Sequence, residues 1–214
     1  MVATDVKPLA AAERNAFADL LETLTPEQWQ ARTLCDRWTV QQLVGHVVSY
    51  EELGRSALLR RYARALASRT SPNAVGVREY GDRSPDELVG LLRRHATPTG
   101  ATAGFGGAIG LTDTTIHHQD VRRPLGLPRS IPPDRLVPVL DFLPMALALP
   151  SWRNVRGIRL VATDLGWTHG NGPEVAGRAE SILMAVSGRP IALADLSGPG
   201  LERLAARVKR HEKR

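Results

Sequence analysis

The side chains best able to do chemistry in this sequence are a carboxylate and an imidazole four positions apart, Asp113 and His117, followed by Asp120. On a helix turning about 100° per residue, Asp113 and His117 lie within about 40° of each other, and Asp120 falls on the same face. Ile109, Ile116 and Val121 accompany them on that side. An acid and an imidazole among aliphatic neighbours are costly unless something satisfies them. A bound cation would do so. His46 supplies a third donor, at the edge of an apolar face formed by Val40, Leu43, Val44 and Val47. If two helices of one bundle carry these residues, His46 can face the Asp113–His117 pair across the interior, as metal sites of helix bundles are built. Three nitrogen and oxygen donors leave a coordination position open, the mark of a catalytic metal. Zinc suits two imidazoles and a carboxylate; iron, nickel, manganese and cobalt remain open. Asp120 is read as an acceptor that orients a histidine, or as the ligand in place of Asp113. His118 projects about 100° away from His117 and is not expected to ligate. His95 and His211 sit in polar helix contexts and are expected to be solvated, and His169, beside a Gly-rich turn, is expected at the surface.

The elements that would position these residues are mostly helices. Apolar spacing predicts a first helix over Leu9 to Thr23, broken at Thr25-Pro26-Glu27. Thr39 is a plausible N-cap for a long second helix running to about Ala67. Ser68 to Asp82 has no period and is read as a loop. Ser84-Pro85-Asp86-Glu87 is a strong start signal for a third helix, reaching about Ala96. A Gly-, Ala- and Thr-rich stretch to Gly107 leads into the fourth helix, Ala108 to Leu125, ended by Gly126 and Pro128. A fifth runs from Pro132 to about Leu149. After Pro150 the pattern changes. Val155 to Thr163 alternates as a strand does, with turns at Asp164-Leu165-Gly166 and Gly170-Asn171-Gly172-Pro173. Helices are expected over Gly177 to Val186, stopped by Gly188, and over Ser197 to Arg210. The fold class is therefore α+β: a metal-binding helical bundle over residues 1–150 and a small α/β domain over 151–214.

Composition narrows the partners. With 43% hydrophobic and 23% charged residues, the 214-residue chain has an ordinary globular balance. No stretch approaches the roughly 18 apolar residues of a membrane helix, and Met1 to Pro8 lack the apolar core of a signal peptide, so no membrane is expected and the cytoplasm is the default. Net charge is +6 and the pI about 10.2, which raises nucleic-acid binding as a possibility. Lysine occurs only at Lys7, Lys209 and Lys213, however, and the arginines are scattered beside acids, a pattern closer to GC-rich coding bias than to a binding stripe. No nucleic acid is expected. The single cysteine, Cys35, excludes an internal disulfide and a cysteine zinc cluster. It is read as a packing residue and a poor nucleophile, because no histidine or positive partner is visible beside it except Arg37.

Several of these segments resemble a known family. Trp29, then Thr33-Leu34-Cys35-Asp36-Arg37-Trp38-Thr39-Val40 and Gly45-His46-Val47, resemble the N-terminal signature of the mycothiol-dependent maleylpyruvate isomerase family. Asp113-Thr114-Thr115-Ile116-His117-His118-Gln119-Asp120-Val121-Arg122-Arg123-Pro124-Leu125-Gly126 is similar to its second signature. Leu160-Val161-Ala162-Thr163-Asp164, Gly172-Pro173-Glu174-Val175 and Ser187-Gly188-Arg189-Pro190 resemble its small C-terminal domain. The resemblance implies a DinB-like four-helix bundle holding a divalent metal, usually zinc, through one histidine and a later Glu-xxx-His pair. Those positions are His46, Asp113 and His117 here, with an Asp where the family often has Glu. It implies mycothiol as cofactor, its thiolate stabilised by the metal and added to an electrophilic substrate. The thiol then leaves, in isomerisation, or stays attached, as an S-transferase would leave it. Arg189 is the best-matched arginine for a catalytic role, and Arg123, nearer the ligand side than Arg122, for holding substrate. A non-catalytic metal-bound bundle that binds a small molecule or a partner protein is the alternative reading. A monomer or homodimer is expected.

Overall fold

The computed structural model of the protein describes residues 5–35 and 38–212. Its helix starts follow a local rule that the sequence carries. The side chains of Thr25, Thr39 and Ser84 each accept from the backbone N–H three residues on, while Gln28, Gln42 and Glu87 reach back to the cap residue's own N–H. Each reciprocal pair satisfies two donors that a helix end would otherwise leave bare. These caps open α2 (Pro26–Trp29), α3 (Val40–Val48) and α6 (Pro85–Arg94), which follow α1 (Lys7–Glu22). Between α3 and α6 lie α4 (Arg55–Ala67) and α5 (Pro72–Tyr80), and α7 (Ala108–Arg122) follows the loop.

The chain divides into two compact units, Met1–Pro128 and Arg129–Arg214. In the first, α1 packs on α7 and α6, and α3 packs on α6 and α7. The four helices form a closed ring of neighbours, a four-helix bundle in which α3 and α7 face each other. Its core joins Phe17 and Leu21 of α1, Leu43, Val44 and Val47 of α3, Leu88 and Leu92 of α6, and Val121 of α7. Trp29, from the N-terminal signature, is buried in it.

Three expectations for this unit are corrected. The long second helix is broken after Val48, and α4 starts only at Arg55. Glu51 in the intervening turn has turned inward to meet Arg14 and the loop before α7. Its tertiary partners outweigh the helical propensity of the segment. The supposed loop over Ser68 to Asp82 contains α5, started by Ser71, whose hydroxyl accepts from Ala74 N, with Pro72 in the first turn. The division falls at Pro128, ahead of the break placed near residue 150. The helix after it, α8 (Pro133–Phe142), packs on α10 (Ala179–Val186) of the second unit. Local periodicity shows that α8 is a helix but not which core it joins.

The second unit holds a four-stranded sheet in the order β2-β1-β3-β4, from β1 (Arg159–Ala162), β2 (Thr168–His169), β3 (Glu174–Gly177) and β4 (Leu196–Ser197). β1 and β3 are parallel, with Leu160 opposite Val175; the outer pairings are antiparallel. α10 lies on β1 and β3 and carries a continuous buried run from Ser181 to Val186. Helix α11 (Leu201–Glu212) packs on α10 and on α9 (Ser151–Asn154). Asp141 of α8 accepts from Trp167 Nε1 and ties α8 to the sheet. Gly188 ends α10 at φ +94°, a conformation in which an L side chain is strained.

Candidate metal centre

His46 comes from the last turn of α3, and Asp113 and His117 from successive turns of α7. The contact between the two helices brings the three side chains together, with ligand atoms all within 4.8 Å of one another. Asp113 Oδ1 lies 3.4 Å from His117 Nε2 and 3.9 Å from His46 Nε2. The two imidazoles stand edge to face, with centroids 5.0 Å apart and planes at 88°. Both histidines are buried, whereas the Asp113 side chain keeps 26% of its exposure. The cluster therefore meets solvent on the Asp113 side.

The donor set fits a metal. Four donors placed tetrahedrally at about 2.0–2.1 Å from zinc stand about 3.3–3.4 Å apart. The His117–Asp113 separation already matches this, and His46 Nε2 stands only about half an ångström further from Asp113 than this spacing. The remaining nitrogen of His117, Nδ1, is 2.9 Å from Asp120 Oδ2, and Asp120 is fully buried. Were a metal to displace the Nε2 proton, the proton kept on Nδ1 against that carboxylate would leave the lone pair of Nε2 directed toward Asp113 and His46. Asp120 thus lies against the far nitrogen of His117, and Asp113 lies near both histidines. His46 is walled by aromatic rings, with Trp38 at 5.0 Å and Tyr50 edge-on at 5.7 Å between centroids.

The electrostatics agree. Burial pushes the Asp113 carboxyl up, but the charge and hydrogen bond of His117, with help from His46, outweigh it and hold the group at about 2. Burial also pushes His117 down. The charge and hydrogen bond of Asp113, with hydrogen bonds to Asp120 and Cys35, leave its pKa well above 6.5. An ionised acid beside so basic an imidazole is a pocket that attracts positive charge, whether proton or metal ion.

Several residues stand elsewhere than expected. Cys35, distant in sequence from every histidine, forms a second donor group with His117 and Asp120, again with all ligand atoms within 4.8 Å. The turn that carries it is fixed to α7 by Leu34 N donating to Asp120 O at 3.1 Å, and Trp38 N donates to Cys35 O at 2.9 Å. No sequence spacing reports this contact. Asp36 and Arg37 of the same signature lie outside the described residues. His118 points away from the donor cluster, as its helical phase requires. It is buried, pairs through Nδ1 with Glu13 Oε1 at 2.9 Å, accepts from Arg122 Nε at Nε2, and stacks on Phe17. Arg122 is thereby half-buried inside the first unit. His95 is only 17% exposed and lies 3.4 Å from Glu52, in place of the expected solvated position.

Arg14 and Glu51 form a buried ion pair of 2.6 Å. Arg14 also donates to His95 O and to the hydroxyls of Thr102 and Thr114. Glu51 accepts from Thr99 N, Gly100 N and the Thr102 hydroxyl. The pair joins α1, the turn after α3 and the loop leading to α7, and so fixes the helices that carry His46 and Asp113. Its trace in the sequence is Glu13-Arg14 set between Ala10 and Phe17, charges on the inward face of an amphipathic helix.

Arg123 caps the C-terminal end of α7, about 15 Å along the axis from Asp113 at 1.5 Å per residue, and is half-buried. Arg189 belongs to the second unit, where it follows α10 and donates to Ser187 O at 2.7 Å.

The comparisons with known proteins bear on this geometry. Residues 10–99 match the family model of the mycothiol maleylpyruvate isomerase N-terminal domain, a span that includes His46 and ends before Asp113. No match was found among curated protein sequences. Two crystal structures share the fold, those of the mycothiol-dependent maleylpyruvate isomerase and of a histidine-to-alanine mutant of it. Each is 14% identical and covers 93% of both chains, with TM-scores of 0.59 and 0.60 respectively. No helix among the described residues is long and apolar enough to cross a membrane. The bundle thus matches the N-terminal domain model of that family over residues 10–99, and the chain shares the fold of the two crystal structures.

Proposed function

We propose that the protein is a cytoplasmic, metal-dependent enzyme that uses mycothiol as cofactor and directs its thiolate to an electrophilic small molecule, as an isomerase of the maleylpyruvate isomerase kind or as an S-transferase. The observation that carries this reading is the meeting of His46, Asp113 and His117 on facing helices, with Asp120 holding the far nitrogen of His117. A divalent cation held by the three, zinc by the chemistry of the donors, would supply the Lewis acidity that favours thiolate over thiol at neutral pH.

The chain's own residues do the rest. Asp113 stays ionised throughout the neutral range and presents one oxygen toward both imidazoles. Asp120 fixes the tautomer of His117. Trp38 and Tyr50 exclude water from the flanks of His46. Arg123 and Arg189 are proposed to hold anionic groups of the thiol or substrate, for which a guanidinium offers a paired hydrogen-bonding edge. The metal group alone does not distinguish isomerisation from transfer, since both begin with the same thiolate.

The test is elemental analysis of the purified protein beside a His46→Ala variant. About one equivalent of divalent metal in the wild type and a large loss in the folded variant is the expected result. Full retention by the variant would remove the site. Metal-dependent turnover of a cis-olefinic acid or another electrophile in the presence of mycothiol then separates enzyme from binding module.

A further inference from the structure

A second donor group, Cys35, His117 and Asp120, shares His117 with the first. His117 turns Nε2 to Asp113 and Nδ1 to Asp120, and Cys35 Sγ approaches from the turn before α3. The chemistry of the two sides differs. On the first are two imidazoles and a carboxylate; on the second are a thiol, an imidazole and a carboxylate. A thiolate selects soft cations that nitrogen and oxygen donors alone hold less well. Asp120 is fully buried, Cys35 is half-buried, and Leu34 N and Trp38 N anchor the turn from both sides of the cysteine. The three donors come from two segments already fixed against each other, so little ordering is needed on binding.

We propose that Cys35, His117 and Asp120 form a second cation position, selective for thiophilic divalent ions such as cadmium, that shares His117 with the first and is an alternative to it. An ion there replaces the proton between His117 and Asp120 and the proton of the Cys35 thiol, so two protons leave as one dication enters. Because His117 serves both positions, a soft ion on this side withdraws it from the first group. The protein is then exposed to displacement of its working metal by thiophilic metals.

Cys35 is the only cysteine, so any thiolate–metal charge-transfer absorption reports this position alone. The experiment is a titration of the metal-free full-length protein with cadmium, followed in the ultraviolet and by the rate at which a thiol alkylating agent modifies Cys35. A charge-transfer band saturating near one equivalent is expected, with alkylation slowed at least tenfold. His46→Ala, which breaks the first group only, is expected to keep both effects with a midpoint within about threefold of wild type. Asp120→Asn is expected to weaken the midpoint tenfold or more. Cys35→Ser loses the band; should it fail to fold, the His46→Ala and alkylation arms still decide. Cadmium binding by dialysis without a band or protection in the wild type overturns the proposal. So does loss of both effects in a folded His46→Ala variant, because the thiol would then depend on the first group. Failure of the first group alone would instead appear as full zinc retention by a folded His46→Ala/Cys35→Ser double variant, which lacks both the first group and the thiol.

Discussion

Replacing Glu51 by Gln isolates the device that holds in register the two helices carrying His46 and Asp113. Arg14 is wholly buried and Glu51 nearly so, their side chains 0% and 1% exposed, with 2.6 Å between charged atoms. The amide keeps the shape and one acceptor oxygen for Thr99 N and Gly100 N, but leaves the guanidinium without its counter-charge. Removing one partner of a buried pair costs about 3–5 kcal/mol, because the remaining charge is stranded in a poorly solvating interior. The hydroxyls of Thr102 and Thr114 and the carbonyl of His95 still contact Arg14, which favours the lower end, about 3 kcal/mol. With a urea slope of about 2 kcal/mol per molar, the midpoint should fall by about 1.5 M. That is a large part of the 5–15 kcal/mol available to a typical domain. Trp29 and Trp38 lie in the first unit and Trp152 and Trp167 in the second. Fluorescence-detected unfolding in a Trp152→Phe/Trp167→Phe background therefore reads the bundle alone. Metal affinity should fall as well, since the pair ties the turn after His46 to the loop before α7. A midpoint within about 0.3 M of the parent, below 1 kcal/mol at that slope, would refute the reasoning: the pair would then be neither dry nor a tether.

Asp120→Asn, in a Cys35→Ser background that leaves only nitrogen and oxygen donors, should weaken zinc binding by about 10–100-fold in a competition titration against a chromophoric chelator. Unchanged affinity in the folded variant would show that Asp120 does not orient His117. Acidification should weaken the bundle. The guanidinium of Arg93 beside Glu22, the Tyr80 hydroxyl on Glu52 and the Ser84 backbone N–H on Glu87 hold these carboxyls below the ordinary 4.5. Their contribution is complete above that value and is lost as pH falls through the lowered ones, so urea midpoints should drop between about pH 5 and 3. Midpoints that stay level or rise over that range contradict these assignments. Gly188→Ala forces a methyl group into φ +94° at the end of α10, where the added Cβ would also approach Pro150 Cγ to 3.2 Å. A loss of about 1 kcal/mol is expected, read by thermal denaturation of the second unit.

What was legible in the sequence was local. The capping boxes at Thr39 and Ser84 need only four consecutive residues, so the starts of α3 and α6 were readable without a fold. The phase of α7 put Asp113, His117 and Asp120 on one face and His118 on another, because a helix fixes those angles by itself. Pairing His46 with that face needed the further premise that α3 and α7 are neighbours, and the resemblance supplied it. The tertiary structure decided everything that joins distant segments. Glu51 abandons a helical segment because a buried arginine on α1 offers a stronger partner than another helical turn. Cys35 meets His117 because the turn before α3 is bonded to the backbone of α7. The periodicity of α8 gives its apolar face but not the core that receives it, so the division at Pro128 was invisible until the packing was known. Helical phase depends on backbone geometry within a few residues; contact across the interior depends on how whole surfaces fit, and the one does not contain the other.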